Sequence, residues 1–549
     1  MPPSKPFRKK PWQSVAQEAQ LHRDLTISSL IPPTPKVPQN LPRNVLSLAA
    51  TCLDENIISI TDLPLQQILK SLTSGRLSAT IVTRAYLQRA ALSQSLVNCL
   101  TELLPERALA RAQELDAYFK ENGPIGPLHG LPISVKEHVG FKGLRTTTGY
   151  IAHWDNIAKE DAHILQVLQD AGAIFHCRTT VPQTMMHLET DSNLYGVTVN
   201  PYNSQLTAGG SSGGEGSLIA LHGSCLGIGS DVGGSIRSPA ANCGVWGFKP
   251  TAFRIPTDGW GYMMAAADSV ESVLGPLSTS LFGLSLFMKT ILDAEPWKTE
   301  PALVPIPWRN DITISRQPKI GILWHDGIVK PHPPITRALR MVTKRLQEVG
   351  VEVVEFPPYL HDEAWAILSS LYFTDGGEYD IETIKSSGEP WRPLSNWIIK
   401  ENPCVKKLST GELTYWMEER EAYRKEYALH WNKTGVDVLL CPVGPGVAPA
   451  HNTAKYWSYT SQWNLLDYPG AVFPVTKVDK TVDLSNAREG DVWLSGHDED
   501  NWKLFDPEET QGCPVSLQLV GRRFEDEKVL KFLEFISDQM TLPVEGFLM

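Results

Sequence analysis

Two Gly-Gly-Ser triplets, Gly209-Gly210-Ser211 and Gly233-Gly234-Ser235, stand in one stretch that runs from Leu206 to Gly247. Glycine ahead of serine lets the backbone take φ > 0 and leaves amide N–H groups unscreened. A serine so placed sits beside donors able to hold an oxyanion, which is the setting a nucleophile needs. A flexible Gly/Ser linker has a similar composition. Such a linker does not carry the apolar segments that interleave these glycines, among them Leu218-Ile219-Ala220-Leu221. The stretch therefore reads as a folded site.

Bulk properties narrow what that site serves. Length alone, 549 residues, suggests three or four domains. A net charge of −11 argues against nucleic acid as the main partner, because phosphate binding needs a basic surface. No apolar run reaches about 18 residues, so no transmembrane helix is expected. Eight cysteines show no C-x-x-C spacing and read as buried free thiols in a reducing compartment, hence a cytoplasmic protein. Cys225 and Cys243 flank the second triplet, and thiol reagents are expected to act there by crowding.

Residues 1–55 read as an extension. A basic start at Lys5, Arg8, Lys9 and Lys10 lacks the apolar region of a secretory signal, and five prolines follow between Pro32 and Pro42. Within it, Trp12 and Ser14 to Leu25 suit a helix docked on the body. The periodic body starts near Thr61, with Leu65, Ile68, Leu69 and Leu72 at helical spacing and Thr61 or Asp62 as cap. Further helices are expected after Ser78, over Pro105 to Lys120, over Asp161 to Ala171, over Ile335 to Val349 and over Asp526 to Gln539. Strands are expected at Ile133-Ser-Val, Ala173 to Cys177, Cys225 to Ser230, Ile320 to Trp324, Val351 to Val354, Val436 to Pro442 and from Pro514. Helix and strand alternate, which implies α/β layering. Ser212 and Glu215 fit a capping box, and Ser238-Pro239 fits an N-cap with proline behind it.

Lys136 closes the apolar strand Ile133-Ser-Val. That position argues for burial, burial lowers a lysine pKa, and a neutral lysine can act as a base. His138 reads as structural. Other chemistries fit poorly. The chain has no H-E-x-x-H, no G-K-[ST] after its glycines and no third glycine after Gly227-Ile-Gly229. Gly210-Ser-Ser-Gly-Gly214 does satisfy G-x-S-x-G, the nucleophile elbow of α/β-hydrolase esterases, which would make Ser212 the nucleophile. A capping role for Ser212 disfavours that alternative, which also leaves the second triplet unexplained.

Gly-Gly-Ser-Ser-Gly-Gly-Glu-Gly at 209–216, Gly-Ser-Asp-Val-Gly-Gly-Ser-Ile-Arg-Ser-Pro at 229–239 and Pro132-Ile-Ser-Val-Lys136-Glu-His resemble the amidase signature family, and within it fungal acetamidases and general amidases. The likeness runs from about Ile60 to about Leu542. It implies one large α/β domain over 56–549, with a mixed central sheet covered by helices on both faces. It implies a Ser-cisSer-Lys triad of Ser235, Ser211 and Lys136, with Ser211 on a non-proline cis peptide. Backbone N–H groups of Val232, Gly233, Gly234 and Ser235 would hold the oxyanion, and a Met185 carbonyl would lie near substrate. Ser212, Asp231 and Arg237 would keep the loop in shape. No metal or organic cofactor is implied. The expected substrate is a small or medium monocarboxylic amide, cleaved to carboxylate and ammonia. Trp260, Tyr262, Met263 and Met264 would wall a short pocket. A glutamine amidase subunit of a transamidation complex is the alternative within the family. Expected partners are the small-molecule amide and at most a second copy of the chain, with neither nucleic acid nor membrane span.

Overall fold

The computed structural model describes residues 10–540 apart from 262–268, 316 and 489. Thirteen strands follow in chain order: β1 Leu100–Leu103, β2 Pro132–Lys136, β3 Ile174–Thr179, β4 Asp191–Ser192, β5 Gly196–Val197, β6 Leu226–Asp231, β7 Trp246–Lys249, β8 Val273–Ser278, β9 Lys319–Ile322, β10 Glu352–Glu355, β11 Val438–Pro442, β12 Gly470–Lys477 and β13 Pro514–Val520. Eleven of them form one sheet, in the order β1-β3-β2-β6-β8-β7-β12-β13-β11-β9-β10, and β4 pairs with β5 apart from it. The sheet is mixed. β3, β2 and β6 run parallel, as do β11, β9 and β10, while the strands between them pair antiparallel. Helices flank it, so the α/β expectation and the mixed sheet both hold.

The strands near the site are buried along their length, as strands covered on both faces must be, and their few polar side chains are therefore partnered inside the protein. Most expected helices form, some with shifted ends. Ser78 caps Ala79–Val97 through its side chain, and Pro105–Asn122 stops at Gly123, where φ is 75°. Trp12–Ser28 is a helix that buries Val15, Ala16 and Ala19 against Ile151, Trp154, Leu194 and Tyr195.

Three capping expectations fail. Thr61 ends the helix Glu55–Thr61, and Leu65–Thr73 begins behind Pro64. Asp62 instead meets Arg89 and His222. The helix after Ser235 is Arg237–Cys243 behind Ile236, so Ser238 and Pro239 lie inside its first turn. Helix Gly213–Ala220 follows Ser212 without a side-chain cap bond. Glu215 is buried and turned into the sheet, accepting from Ser134 Oγ at 2.5 Å and Thr179 Oγ1 at 2.8 Å. A carboxylate with two sheet hydroxyls in reach does not serve the helix end.

β2 and β6 are parallel neighbours, with Ser134 opposite Gly227 and Val135 opposite Ile228. Their carboxyl ends, Lys136 and Asp231, therefore emerge at one edge of the sheet, where open α/β sheets hold their ligands.

Candidate active site

Lys136 is fully buried at the end of β2. Its ammonium donates to Ser211 Oγ at 2.7 Å and Ser230 Oγ at 2.9 Å. Burial lowers its pKa from 10.5 to about 7, against the opposing pull of Asp231 and Glu215. Glu215 moves the other way, up to about 7, because burial outweighs its two hydroxyl donors and Lys136. Ser230 is a partner that the motif reading missed. No local motif marks it, because its role follows from β2 and β6 being neighbours in the sheet.

The first triplet is pinned on both sides. The Gly210–Ser211 peptide is cis. Gly209 has φ of 83°, and Thr190 Oγ1 donates to its carbonyl at 3.0 Å and accepts from Gly213 N–H at 3.0 Å. Gly210 serves close approach instead, since a Cβ there would lie 2.6 Å from the His187 carbonyl oxygen. Met185 sits in the segment leading to that contact, in a 3₁₀ turn over Gln183–Met185 where Thr184 and Met185 both have positive φ, 69° and 56°. It is buried, and no donor among the described residues reaches its carbonyl.

The second triplet hangs on Asp231. One carboxylate oxygen accepts from Gly234 N–H at 2.9 Å, the other from Ile236 N–H at 3.0 Å and Arg237 N–H at 3.3 Å. Arg237 adds Nε at 3.0 Å and Nη2 at 2.9 Å, and Asn464 adds its amide at 3.0 Å. Burial would raise the Asp231 pKa, but Arg237, the amide and Lys249 hold it at about 2. Arg237 and Asp231 are both wholly buried and form a charge-assisted pair with several bonds. Both were expected to shape the loop, and the geometry places them there.

The expected donor set narrows. The Gly234 N–H is occupied by Asp231, whereas those of Val232, Gly233 and Ser235 meet no acceptor among the described residues. Ser212 N–H donates to the Ser235 carbonyl at 3.1 Å, which brings the two triplets together. Ser212 Oγ is wholly buried between the N–H and carbonyl of Ser230, at 3.3 and 3.4 Å. It therefore does not stand exposed on an elbow.

Glu137 is buried under Thr147 and Thr148 N–H groups at 2.5 and 3.1 Å. His138 is buried with its ring 5.5 Å from Trp260, consistent with a structural part. Trp260 thus packs on the segment that follows the lysine strand, where it also bridges Val139. Tyr262, Met263 and Met264 lie outside the described residues. An aromatic wall does stand at the second triplet, but it comes from later in the chain. Trp457 packs with Trp365, Trp397 and Tyr372 at centroid distances of 5.9, 6.0 and 6.3 Å, and Val232 packs on the same cluster. A cleft lined by Leu188, Ser238, Val443, Ala454 and Tyr456 opens at the first turn of the helix behind Ser235. All eight cysteines are free, though Cys52 and Cys404 are only partly buried. The Cys225 and Cys243 thiols are buried, and burial pushes both up to about 12.

The chain is a hydrolase that acts on amides. The family model described as Amidase matches residues 81–530, and the chain belongs to the amidase family. It is 38% identical over 499 residues to an acetamidase of Emericella nidulans, covering 88% of this chain and 90% of that one. It is 37% identical over 493 residues to Amidase 1 of Gibberella moniliformis, covering 87% and 92%. Among solved structures it resembles a fatty acid amide hydrolase, with a TM-score of 0.93 and 32% identity over 98% of this chain and 96% of that one. No helix among the described residues is long and apolar enough to cross a membrane.

Proposed function

We propose that Ser235 attacks the amide carbonyl, that Ser211 relays its proton to Lys136, and that the N–H groups of Val232, Gly233 and Ser235 receive the oxyanion. The observation that carries this reading is the buried lysine, with a pKa of about 7 and 2.7 Å from Ser211 Oγ. Such an amine is largely neutral just above neutral pH and can accept a proton without a metal or cofactor. The acyl-enzyme on Ser235 releases ammonia or amine, and water then frees the carboxylate. Asp231, Arg237 and Ser212 hold the two loops in register, and the Met185 carbonyl is offered to the substrate amide.

The substrate is a small or medium monocarboxylic amide. The acetamidase relative supports this size, as does the packed aromatic wall beside Val232. The likeness to a fatty acid amide hydrolase favours a longer acyl chain as the second reading. Eight free thiols favour a reducing compartment and hence the cytoplasm, which cell fractionation checks. A fluorophosphonate probe is expected to label Ser235, and label on Ser212 would overturn the mechanism. Amides graded from acetamide to an eighteen-carbon amide then decide the size. Each methylene is worth only about 1–3 kcal/mol in a fixed pocket, so kcat/KM should decline gradually beyond medium length. A best rate with the longest amide would replace the first reading by the second.

A further inference from the structure

Two successive peptide units of the second triplet are gripped at their carbonyls by side-chain hydroxyls from distant helices. Tyr372, the last residue of helix His361–Tyr372, donates its hydroxyl to the Val232 carbonyl at 2.8 Å. Thr460, in helix Ser458–Leu465, donates to the Gly233 carbonyl at 2.7 Å. A trans peptide is planar, and its C=O and N–H point in opposite directions. Fixing the Gly233 carbonyl therefore fixes the Gly234 N–H, which ends on Asp231 Oδ1 at 2.9 Å. Fixing the Val232 carbonyl in the same way fixes the Gly233 N–H, which has no protein acceptor among the described residues.

The glycines fit this arrangement. A Cβ on Gly233 would lie 2.6 Å from the Tyr372 hydroxyl, and one on Gly234 would run into Thr460 Oγ1. The pair leaves room for the two grips. Gly234 also needs its freedom for a φ of 131°. Gly233 needs only the space.

We infer that Tyr372 is a positioning residue: its hydroxyl aims the Gly233 N–H at the developing oxyanion, while its ring, edge-on to Trp457, forms part of the wall beside the acyl group. A hydroxyl donating to the carbonyl of a peptide also polarises it and strengthens the N–H at its other end. The inference rests on the reading of Ser235 as nucleophile.

A tyrosine that only packed here would still bury its hydroxyl on an acceptor, so the test must read transition-state binding. Tyr372→Phe keeps the ring and removes the grip. Its kcat is expected to fall about tenfold, less than the roughly 10²–10³ that follows loss of an oxyanion donor outright. KM should stay within about twofold, because the interaction strengthens only in the transition state. A trifluoromethyl ketone, whose adduct on Ser235 carries the oxyanion, should bind more weakly by the same factor as kcat falls. Raised KM with kcat and ketone binding unchanged would make Tyr372 a wall residue only and overturn the inference. Fluorophosphonate labelling of the unsubstituted protein separates the two levels. Label away from Ser235 removes the nucleophile reading itself, whereas label on Ser235 with full Tyr372→Phe turnover removes only the grip.

Discussion

Burial is what separates Lys136 from an ordinary lysine. An exposed lysine at pH 7 is charged and cannot take a proton, whereas at about 7 a substantial share is neutral. Activity is therefore expected to rise as pH climbs through about 7 and to level off above about 8. Glu215 allows a sharper test of that limb. Where it is ionised, above its own pKa of about 7, its charge favours protonated Lys136 and opposes the effect of burial. Glu215→Gln keeps a hydrogen-bonding partner for Ser134 and Thr179 but removes the charge, so the lysine pKa should fall further and the acid limb of kcat/KM should move to lower pH. A profile that stays in place or moves upward would show that another group sets the limb. Lys136 could be read from its place at the end of an apolar strand. Ser230 and Glu215 could not, because their roles depend on which strands are neighbours.

At the level of elements, the motif located both loops and named Asp231 and Arg237 beside them, but not the neighbours that press on the glycines. Each glycine pair divides its work: Gly209 and Gly234 supply positive φ, while Gly210 and Gly233 supply room for a neighbour. Sequence shows the pair but not the partner that approaches it. The capping box failed for a related reason. Ser-x-x-Glu is a local pattern, and Glu215 found stronger partners across the sheet at Ser134 and Thr179. Asp231 is the element's keystone, with ligands from its own loop and from Arg237 and Asn464. Asp231→Ala leaves Arg237 as an unpaired buried cation and should cost about 3–5 kcal/mol, read as an earlier denaturant midpoint with turnover largely lost. The carboxylate's contribution should be fully present above about pH 4 and fade as pH falls through its folded pKa of about 2. A variant with unchanged midpoint and turnover would show that the loop is held from elsewhere.

For the whole molecule, most strands and the α/β class could be read from apolar runs and their spacing, whereas the strand order could not. Pairing β6 with β8 and β7 with β12 joins segments far apart in the chain, and no local periodicity encodes that. The aromatic wall escaped for the same reason, since Trp365, Tyr372, Trp397 and Trp457 meet only once the sheet is assembled. The N-terminal extension poses the remaining question of how far the body reaches. Its helix Trp12–Ser28 covers Trp154 and Leu194, which are 1% and 0% exposed, and Gln20 donates to the Leu194 carbonyl at 3.0 Å. His22 also meets the buried Glu102, which Arg178 holds from the other side. We propose that residues 1–55 are an extension whose first helix acts as a cover for the body. Deleting residues 1–29 would uncover Trp154, Leu194 and Ile151 and strip Glu102 of one partner. At about 25 cal/mol per Å² of apolar surface the loss should reach a few kcal/mol. The expected outcome is a thermal midpoint lowered by several degrees, with Ser235 still labelled by a fluorophosphonate below that temperature, because the lysine and both triplets draw none of their contacts from this helix. An unchanged midpoint would make the helix a loosely attached tail, and lost labelling in a folded protein would make it part of the site's support.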